Sequence, residues 1–374
     1  MRRLAVGLVV VGLFSAPASA HGLGWASETL TPPESAEETR LEGVSCSSTS
    51  FCVGAGWYVY GGEFLQAGGT SYSWNGSSWS GANLLSGADV AADGASCTSG
   101  SFCVVVGEYE KGLTYATHWN GTKWSLVSTP NPHEEGDDLN GVSCTSSSAC
   151  TAVGSGPFGG KTVALRWNGT SWSTQTTPNP GTLQNVLDGV SCTSLTHCVG
   201  VGHKESVEGS ATTLAMTWNG TTWTTQTTPN PAGALSASAK AVSCTSSTSC
   251  VAVGVYQVAS GPLNFAMHWD GSSWSLKSVK LPGETNFGWL EGVSCTSSSF
   301  CMAVGAYEKI GQGVFAMAQK WNGTSWAAEK PASPGKSFNE LKAVSCTASN
   351  WCKATGHYLN GGGVMSPFAD HFSG

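Results

Sequence analysis

One stretch of the sequence decides the fold: Gly292-Val293-Ser294-Cys295-Thr296-Ser297-Ser298-Ser299-Phe300-Cys301-Met302-Ala303-Val304-Gly305, in which five residues separate two cysteines. The spacing recurs along the chain, and successive first cysteines lie 47 to 52 residues apart. Self-similarity at a fixed period of this length is the signature of a repeat architecture. All 14 cysteines belong to seven such pairs: Cys46 and Cys52, Cys97 and Cys103, Cys144 and Cys150, Cys192 and Cys198, Cys244 and Cys250, Cys295 and Cys301, Cys346 and Cys352.

A second motif, two tryptophans around a four-residue turn, follows each of the first six cysteine pairs. It reads Trp74-Asn75-Gly76-Ser77-Ser78-Trp79 in the first unit. The two motifs together predict four short strands in each unit. Strand A carries the first cysteine, strand B follows the second, strand C ends on the first tryptophan, and strand D begins at the second. Repeats of four strands and this length are typical of β-propeller blades.

The two ends of the chain complement each other. The seventh unit stops at Phe372-Ser373-Gly374, where other units have Trp-Asn-Gly, so its strand D is missing. Residues 24–30, Gly-Trp-Ala-Ser-Glu-Thr-Leu, resemble the strand D that begins at Trp326. A circular array needs such an overlap to close without free strand edges. We therefore predict an all-β, seven-bladed β-propeller over residues 21–374, with an N-terminal strand completing the last blade.

Residues 1–20 have the pattern of a secretory signal peptide, with Arg2 and Arg3 before a short apolar run and Ala18-Ser19-Ala20 as the cleavage site. We expect a mature chain that begins at His21 and is secreted to the extracellular space, without a membrane anchor. The net charge is -7, and only Arg40 and Arg166 remain as arginines in that chain, which argues against nucleic-acid binding. We expect a monomer.

The cysteine pairs favour disulfides over zinc ligands. Zinc sites space paired cysteines two to four residues apart, and an exported chain meets oxidising conditions. Facing residues of an antiparallel pair have Cα atoms about 4.5–5.5 Å apart, which suits a disulfide across the A–B hairpin. We predict one disulfide in each blade and no metal or cofactor. The acidic loop His133-Glu134-Glu135-Gly136-Asp137-Asp138 could offer oxygen ligands to Ca²⁺, although its spacing favours a solvated charge run.

The tryptophans admit two interpretations. They could stack on sugars, as in propeller lectins, or clamp the C–D hairpin and pack between blades. Their presence in nearly every unit favours the clamp. The adjacent Asn-Gly predicts a type I′ turn, in which both central residues have positive φ. The five Asn-Gly-Ser/Thr sequons, beginning at Asn75, Asn120, Asn168, Asn219 and Asn322, fit turn chemistry better than glycosylation.

The Gly-x-x-Trp end of the C–D hairpin resembles part of the Asp-box of sialidase-type propellers. Here Asn and Gly are adjacent, and the Ser-x-Asp-x-Gly order is absent. The chain thus resembles seven-bladed propellers, and more narrowly secreted bacterial propellers with Cys-x5-Cys and Trp-Asn-Gly repeats. This resemblance implies a fold and no activity.

Functional residues are expected on one face of the propeller, made by the D–A links and the B–C loops. Loops vary in length and content there, as functional loops on a rigid scaffold do. Strand A brings one polar residue per blade to the inner rim of this face: Glu42, Asp93, Asn140, Asp188, Lys240, Glu291 and Lys342. Aromatic residues and a histidine follow strand B: Trp57, Tyr58, Tyr109, Tyr256, Tyr307 and His357.

Two functions remain open, beside the third possibility of a purely structural extracellular component. The first is an extracellular binding module, in which these aromatic and rim residues hold a glycan or a cell-surface protein. The second is a secreted polysaccharide hydrolase or lyase that uses paired rim carboxylates, with Glu42 and Asp93 on adjacent blades as the nearest pair. Two carboxylates that converge in one pocket, one with a raised pKa, would favour the enzyme.

Overall fold

The computed structural model describes residues 24–34, 36–62, 66–85, 89–110, 112–133, 136–283, 285 and 287–374. The predicted leader, its cleavage site and His21 lie outside these residues. The described residues form seven antiparallel sheets of four strands each. One short 3-10 helix, Pro157–Gly159, interrupts the all-β pattern.

The strands fall into four classes by their place in the blade. The A strands are β2 Glu38–Ser48, β6 Val90–Ser99, β10 Gly141–Ser146, β14 Gln184–Ser194, β18 Ser236–Ser246, β22 Phe287–Ser297 and β26 Asn339–Ala348. The B strands are β3 Phe51–Tyr60, β7 Phe102–Tyr109, β11 Ala149–Ser155, β15 His197–Glu205, β19 Ser249–Val258, β23 Phe300–Lys309 and β27 Trp351–Leu359. The C strands are β4 Gln66–Trp74, β8 Leu113–Trp119, β12 Thr162–Trp167, β16 Thr212–Trp218, β20 Gly261–Trp269, β24 Gly313–Trp321 and β28 Met365–Ser373. The D strands are β5 Trp79–Leu85, β9 Trp124–Leu126, β13 Trp172–Thr174, β17 Trp223–Gln226, β21 Trp274–Lys277, β25 Trp326–Glu329 and β1 Gly24–Thr29.

The sheets form a closed ring around the A strands. Each A strand contacts the A strand of the next blade, and β26 of the last blade contacts β2 of the first. Strand β1 completes the last sheet by pairing with β28, with Trp25 opposite Phe372 and Glu28 opposite Ala369. The chain is therefore a seven-bladed β-propeller closed by its N-terminal strand, and the prediction from the sequence is confirmed.

The hydrophobic core lies between blades rather than in one central mass. Between the second and third blades, for example, Val104 and Ala116 of one sheet pack with Leu139 and Leu165 of the next. Apolar side chains on both faces of each sheet are buried in this way, which supplies the main driving force for ring closure.

Seven disulfides join the A and B strands, one in each blade, and the pairing predicted from the cysteine spacing is confirmed. They join Cys46 to Cys52, Cys97 to Cys103, Cys144 to Cys150, Cys192 to Cys198, Cys244 to Cys250, Cys295 to Cys301 and Cys346 to Cys352. The paired Cα atoms lie 3.9–4.0 Å apart, so the expected separation of about 4.5–5.5 Å is wrong. No cysteine is left unpaired.

The two cysteines of each disulfide differ in burial. The strand B cysteine is at most 2% exposed in every blade, because it lies under the neighbouring blade: Cys52, Cys103, Cys150, Cys198, Cys250, Cys301 and Cys352. The strand A cysteine is only partly buried. The disulfides are thus parts of the packed blade.

The tryptophans clamp the hairpins. In the first blade the rings of Trp74 and Trp79 lie 5.7 Å apart, and the indole N–H of Trp74 donates to the Thr49 carbonyl in the A–B hairpin at 3.1 Å. The predicted type I′ turn is wrong, because only the glycine has positive φ: Gly76 has a φ of +96°. Asn75 instead accepts the backbone N–H groups of Ser77 and Ser78 through its side-chain oxygen, which closes an Asx turn.

A β-bulge in strand A fixes the ring of polar rim residues. In six blades the A–B register shifts around one extra residue, as at Glu42, whose neighbours Leu41 and Gly43 pair with consecutive residues of strand B. A Cβ on Gly56 would lie 2.0 Å from the Arg40 carbonyl oxygen, so only glycine fits opposite the bulge. The third blade has Asn140 at the matching position, just before β10. Bulges of this kind re-aim side chains, here toward the central channel.

Candidate functional site

The central channel contains a cavity of about 170 Å³. Each A strand contributes three consecutive residues to its wall. The second and third are nearly uniform, a glycine or alanine followed by valine or alanine. The first is the bulge residue, and these seven residues, here named the channel ring, differ in charge: Glu42, Asp93, Asn140, Asp188, Lys240, Glu291 and Lys342. The structure therefore brings together the rim residues that the sequence singled out.

The fourth and fifth blades carry one ion-paired part of the channel ring. Lys240 Nζ lies 3.2 Å from Asp188 Oδ1, and His203 Nδ1 lies 3.4 Å from Asp188 Oδ2. The hydroxyl of Ser238 contacts both Asp188 and His203 at 3.2 Å. Burial alone would raise the pKa of Asp188, but Lys240 and His203 outweigh it and the pKa is lowered. Asp188 is thus held as a carboxylate within a satisfied network.

The sixth, seventh and first blades carry the other paired part. Lys342 Nζ lies 3.1 Å from Glu291 Oε2 and 3.8 Å from Glu42 Oε2, so one ammonium bridges two carboxylates across the closure of the ring. Burial opposes the charge on Lys342, but Glu291, Glu340 and Glu42 together raise its pKa. Burial raises the pKa of Glu291, and the charge of Lys342 acts against that rise.

The second and third blades differ, because the ring has no lysine there and, among the described residues, its members form no ion pair. Burial, together with the charges of Glu42, Asp138 and Glu108, raises the pKa of Asp93 to about 8, and Lys342 only partly offsets this. Burial also raises the pKa of Asp138 to about 6, although its carboxylate accepts the N–H and hydroxyl of Ser155. We call Glu42, Asp93, Asp138 and Glu108 the acidic sector. It is an electrostatically unbalanced part of the channel.

A further polar cluster lies beside Lys342. His357 Nε2 lies 3.4 Å from Glu340 Oε2, and the indole N–H of Trp289 donates to Glu340 Oε1 at 2.6 Å. Burial would raise the pKa of Glu340, but His357, Lys342 and Trp289 lower it to about 2. His357, a predicted ligand-binding residue, is 2% exposed, stacks on Phe338 and turns its Nε2 toward this internal cluster.

The predicted aromatic ligand-binding residues do not line the channel cavity. The Arg40 guanidinium lies over the Trp57 ring at 5.3 Å. Tyr58 is 6% exposed, and its ring lies so close to Gly68 that a Cβ there would be 2.6 Å away. Both side chains are therefore engaged in packing within their own blade.

The remaining three tyrosines pack separately between blades. Tyr109 contacts Tyr115 edge to face, with ring centroids 6.4 Å apart, and Tyr256 contacts Phe265 in the same way. Tyr307 stacks on Phe315 at 5.7 Å. Each joins the apolar cluster of a different pair of blades. The structure does not bring these tyrosines into one shared pocket.

The acidic loop uses its last residues for its own fold. Asp137 is fully buried, and its carboxylate accepts the backbone N–H of His133 at 2.9 Å and contacts the His133 imidazole at 2.7 Å. Glu134 and Glu135 lie outside the described residues. Across the described ranges, no group of three or more histidine, cysteine, aspartate or glutamate residues could hold a metal ion.

A second layer of residues surrounds the channel ring, and sequence reasoning missed two of its members, Trp289 and Glu340. Three members of this layer lie two residues before a channel-ring residue: Asp138, Trp289 and Glu340. The other two, Glu108 and His203, lie in strand B, opposite that same position of strand A. The signal was available in the recurrence of glycine one position earlier in strand B. The glycine opposite the bulge fixes the register of the A–B pair. It therefore also identifies the strand B side chains that lie at the mouth of the central channel.

These features define a seven-bladed propeller with a charged channel, and comparisons with known proteins agree on the fold. No protein-family model and no curated protein matches the sequence. The chain is similar in structure to YCF48 bound to a D1 peptide, with a TM-score of 0.57 and 12% identity over 95% of this chain and 98% of that one. It is also similar to YCF48 from Cyanidioschyzon merolae, with a TM-score of 0.53 and 12% identity over 93% of this chain and 99% of that one.

A third similar structure is the GH74 xyloglucanase from Xanthomonas campestris, with a TM-score of 0.53 and 10% identity over 92% of this chain and 55% of that one. At such identities the similarity shows the fold alone. This fold occurs in a peptide-bound protein and in a xyloglucanase. In the part of the chain that the structure describes, no helix combines the length and apolar character that crossing a membrane requires.

Proposed function

We propose that this protein is a secreted, extracellular binding propeller whose ligand, a protein or a glycan, engages the face made by the D–A links and B–C loops. A polar group of the ligand enters the channel cavity. The observation that carries this proposal is the uneven channel ring. The neighbouring wall positions are nearly uniform because they build the ring, whereas the bulge residues differ in charge from blade to blade.

The unbalanced acidic sector supports the proposal. A ring that served only to close the fold would be most stable with its charges paired, as Lys240 and Asp188 are. Asp93 has acidic neighbours and, among the described residues, no lysine at hydrogen-bond distance, and its raised pKa reflects a local free-energy penalty for the carboxylate. A ligand that brings a positive or hydrogen-bonding group to this sector would remove that penalty.

The peptide-bound structural relative also favours a binding role, since it shows that a propeller of this fold and size holds a polypeptide. A cavity of about 170 Å³ is smaller than the roughly 300–1,000 Å³ typical of sites that enclose a whole ligand. It fits one side chain or one functional group, with the rest of the ligand on the loops around the mouth.

A hydrolase is the second candidate, and one observation favours it. Glu42 and Asp93 line the same cavity, and the pKa of Asp93, raised to about 8, keeps a proton on that carboxyl at neutral pH. A protonated acid beside a carboxylate is the pair that glycoside hydrolysis requires. Release of reducing ends from a polysaccharide panel, abolished by Asp93→Asn, would establish this function.

The binding proposal is tested with a charge-blocking variant. Asn140→Lys adds an ammonium to the cation-free part of the channel ring, and Lys240 and Lys342 show that lysine fits the equivalent position. Ser147→Lys adds the same charge in the same blade, at an exposed position of the A–B hairpin on the other face. A glycan array and a peptide array are probed with the wild type and both variants. Binding that Asn140→Lys alone abolishes supports the proposal, whereas silence of a folded wild type on both arrays overturns it.

A further inference from the structure

Exposed apolar side chains collect on the proposed binding face. Of nine described residues with large exposed apolar side chains, six lie in its B–C loops and D–A links. Leu195 lies in an A–B hairpin of the opposite face, and Leu126 and Leu276 lie in D strands. Four of the six follow one another across adjacent blades, and we call them the apolar arc: Phe158, Leu183, Val207 and Leu235. Single exposed apolar residues are ordinary, whereas neighbouring ones that form a contiguous patch mark an interaction surface.

Backbone contacts make the apolar arc continuous. The N–H of Leu183 donates to the Glu205 carbonyl at 2.9 Å, two residues before Val207. The N–H of Ala237, two residues after Leu235, donates to the Ala211 carbonyl at the end of the loop that carries Val207. The loop that carries Phe158 packs against the start of β14, next to Leu183.

Phe158 is the most prominent member of the arc. It is 98% exposed, and its φ of 55° and ψ of 23° put it in the left-handed region that a bulky side chain rarely adopts. The Phe158 ring packs against no core residue, so a phenylalanine at this position does not stabilise the fold. The strained backbone and the exposed ring both lower the stability of the fold, and contacts with a ligand would offset this loss.

The loop around Phe158 is held rigidly. Gly156 lies against the His133 imidazole, where a Cβ would be 2.7 Å from Nδ1, and Asp137 in turn fixes that imidazole. On the other side Gly159 lies against Val186, where a Cβ would be 3.0 Å from the methyl group. The ring of Phe158 is therefore presented by a preorganised turn, which lowers the entropic cost of binding.

The apolar arc meets the acidic sector in the third blade. Ser155, three residues before Phe158, donates its N–H at 2.6 Å and its hydroxyl at 2.9 Å to Asp138. Asp138 lies near enough to Asp93 for its charge to act on that carboxyl. An apolar anchor thus lies beside the acidic sector, in which Asp93 and Asp138 form no ion pair among the described residues.

We infer that the occupant of this face is a polypeptide segment in which a lysine or arginine enters the acidic sector of the channel while a neighbouring apolar side chain packs on Phe158 and the apolar arc. This rests on the proposed binding function and narrows its ligand. Charge complementarity selects the occupant, because neutral glycans carry no cation for the acidic sector. The net charge of -7 opposes nucleic acids and anionic membranes.

The test uses a defined peptide library at pH 7.5. Capped nonapeptides carry a central arginine with leucine, phenylalanine or tryptophan two positions away on either side. A second library replaces the arginine with citrulline, which has the same shape and no charge. We expect library members that bind the wild type by fluorescence anisotropy and that lose about 10-fold or more in affinity on replacement with citrulline.

Phe158→Asn separates a binding role from a structural one. Asparagine tolerates the left-handed conformation, so this variant should keep or raise the thermal unfolding midpoint while losing about 10-fold or more in peptide affinity. Leu195→Asn on the opposite face is the matched control and should bind as the wild type does. Peptide binding that Phe158→Asn leaves unchanged, or equal binding of the arginine and citrulline libraries, overturns this inference.

An oligosaccharide panel, run in parallel, distinguishes failure of the polypeptide inference from failure of the proposed binding function. Glycan binding that Asn140→Lys blocks, with no peptide bound, overturns the polypeptide inference and leaves the proposed binding function standing. A folded wild type that binds neither library nor any glycan overturns both.

Discussion

Glu28 and Lys353, which are 325 residues apart in the sequence, form an ion pair where the propeller closes. Lys353 is fully buried, and its Nζ lies 3.5 Å from the centroid of the Trp74 ring in the first blade. The other carboxylate oxygen of Glu28 accepts the indole N–H of Trp79 at 2.7 Å. One N-terminal side chain thus ties the last blade to the first.

Removal of one partner of this pair should strongly destabilise the protein. Glu28→Gln leaves the buried ammonium of Lys353 without its counter-charge, and we expect a loss of about 3–5 kcal/mol in the free energy of unfolding. Urea denaturation at pH 7 measures it. Glu329→Gln, which breaks the more exposed pair of Lys320 and Glu329, is the control and should cost less than about 1 kcal/mol.

The double variant Glu28→Gln/Lys353→Met should recover most of that loss. The matching interior junctions already use glutamine, since Gln175 and Gln226 accept the indole N–H of Trp223 and Trp274 at 3.0 and 2.8 Å. Met302 occupies the position of Lys353 in the sixth blade. A double variant no more stable than Glu28→Gln alone would show that the charge of Lys353 is not what destabilises the single variant.

The stability of the wild type should depend on pH through Asp370. Burial, and next the charge of Glu28, raises the pKa of this carboxyl to about 7, although it accepts the N–H of Ala332. The unfolded chain has an aspartate pKa of about 3.9, so the contribution of Asp370 is fully present below that pH and is lost as pH rises toward 7. Between about pH 4 and pH 7, the free energy of unfolding of the wild type should therefore fall relative to that of Asp370→Asn. A difference that stays constant over this range contradicts the assignment.

Asp93 should titrate with a midpoint near pH 8, in line with its buried, acidic surroundings. Carboxyl carbon NMR on protein labelled at aspartate measures this midpoint directly. Asn140→Lys, which puts an ammonium into the same part of the channel, should lower it by about 1–3 pH units because an opposite charge favours the carboxylate. Ser147→Lys should leave it in place. A midpoint near pH 4 in the wild type would show that the acidic sector is well solvated.

Each disulfide should contribute separately to stability. Replacement of Cys244 and Cys250 with alanine opens a closed loop of sequence separation 6, for which loop-closure entropy gives about 2 kcal/mol. Denaturant unfolding of this variant measures the loss. Thiol titration in denaturant should find no reactive thiol in the wild type before reduction and 14 after it. Any substantial free thiol before reduction contradicts the pairing.

The repeat made most of the fold predictable. Each cysteine pair and each tryptophan pair marks the same place in every blade, and the missing strand after Phe372 pointed to Trp25 as its replacement. The channel ring was predictable for the same reason, since its residue holds the same place in every repeat. Features that break the repeat were not predictable. Phe158 stands in one irregular loop, and Lys353 replaces an apolar residue in one blade only.

The aromatic residues show the other limit of sequence reasoning. The sequence placed Tyr58 and Tyr307 in variable loops after strand B, which suggested an exposed ligand surface, but both lie within B strands, β3 and β23. The structure instead packs their rings against glycine and phenylalanine neighbours. Period and composition place a residue on a loop, but they do not determine whether the next blade covers its ring.

The location of the binding face is tested most directly by hydrogen–deuterium exchange of the wild type, alone and saturated with its tightest binder from the peptide library or the oligosaccharide panel. We predict slower exchange in residues 156–161 and 206–211, in the loops that carry Phe158 and Val207, and no change in the A–B hairpins. Slower exchange confined to the A–B hairpins and C–D turns of the opposite face would contradict the proposed site.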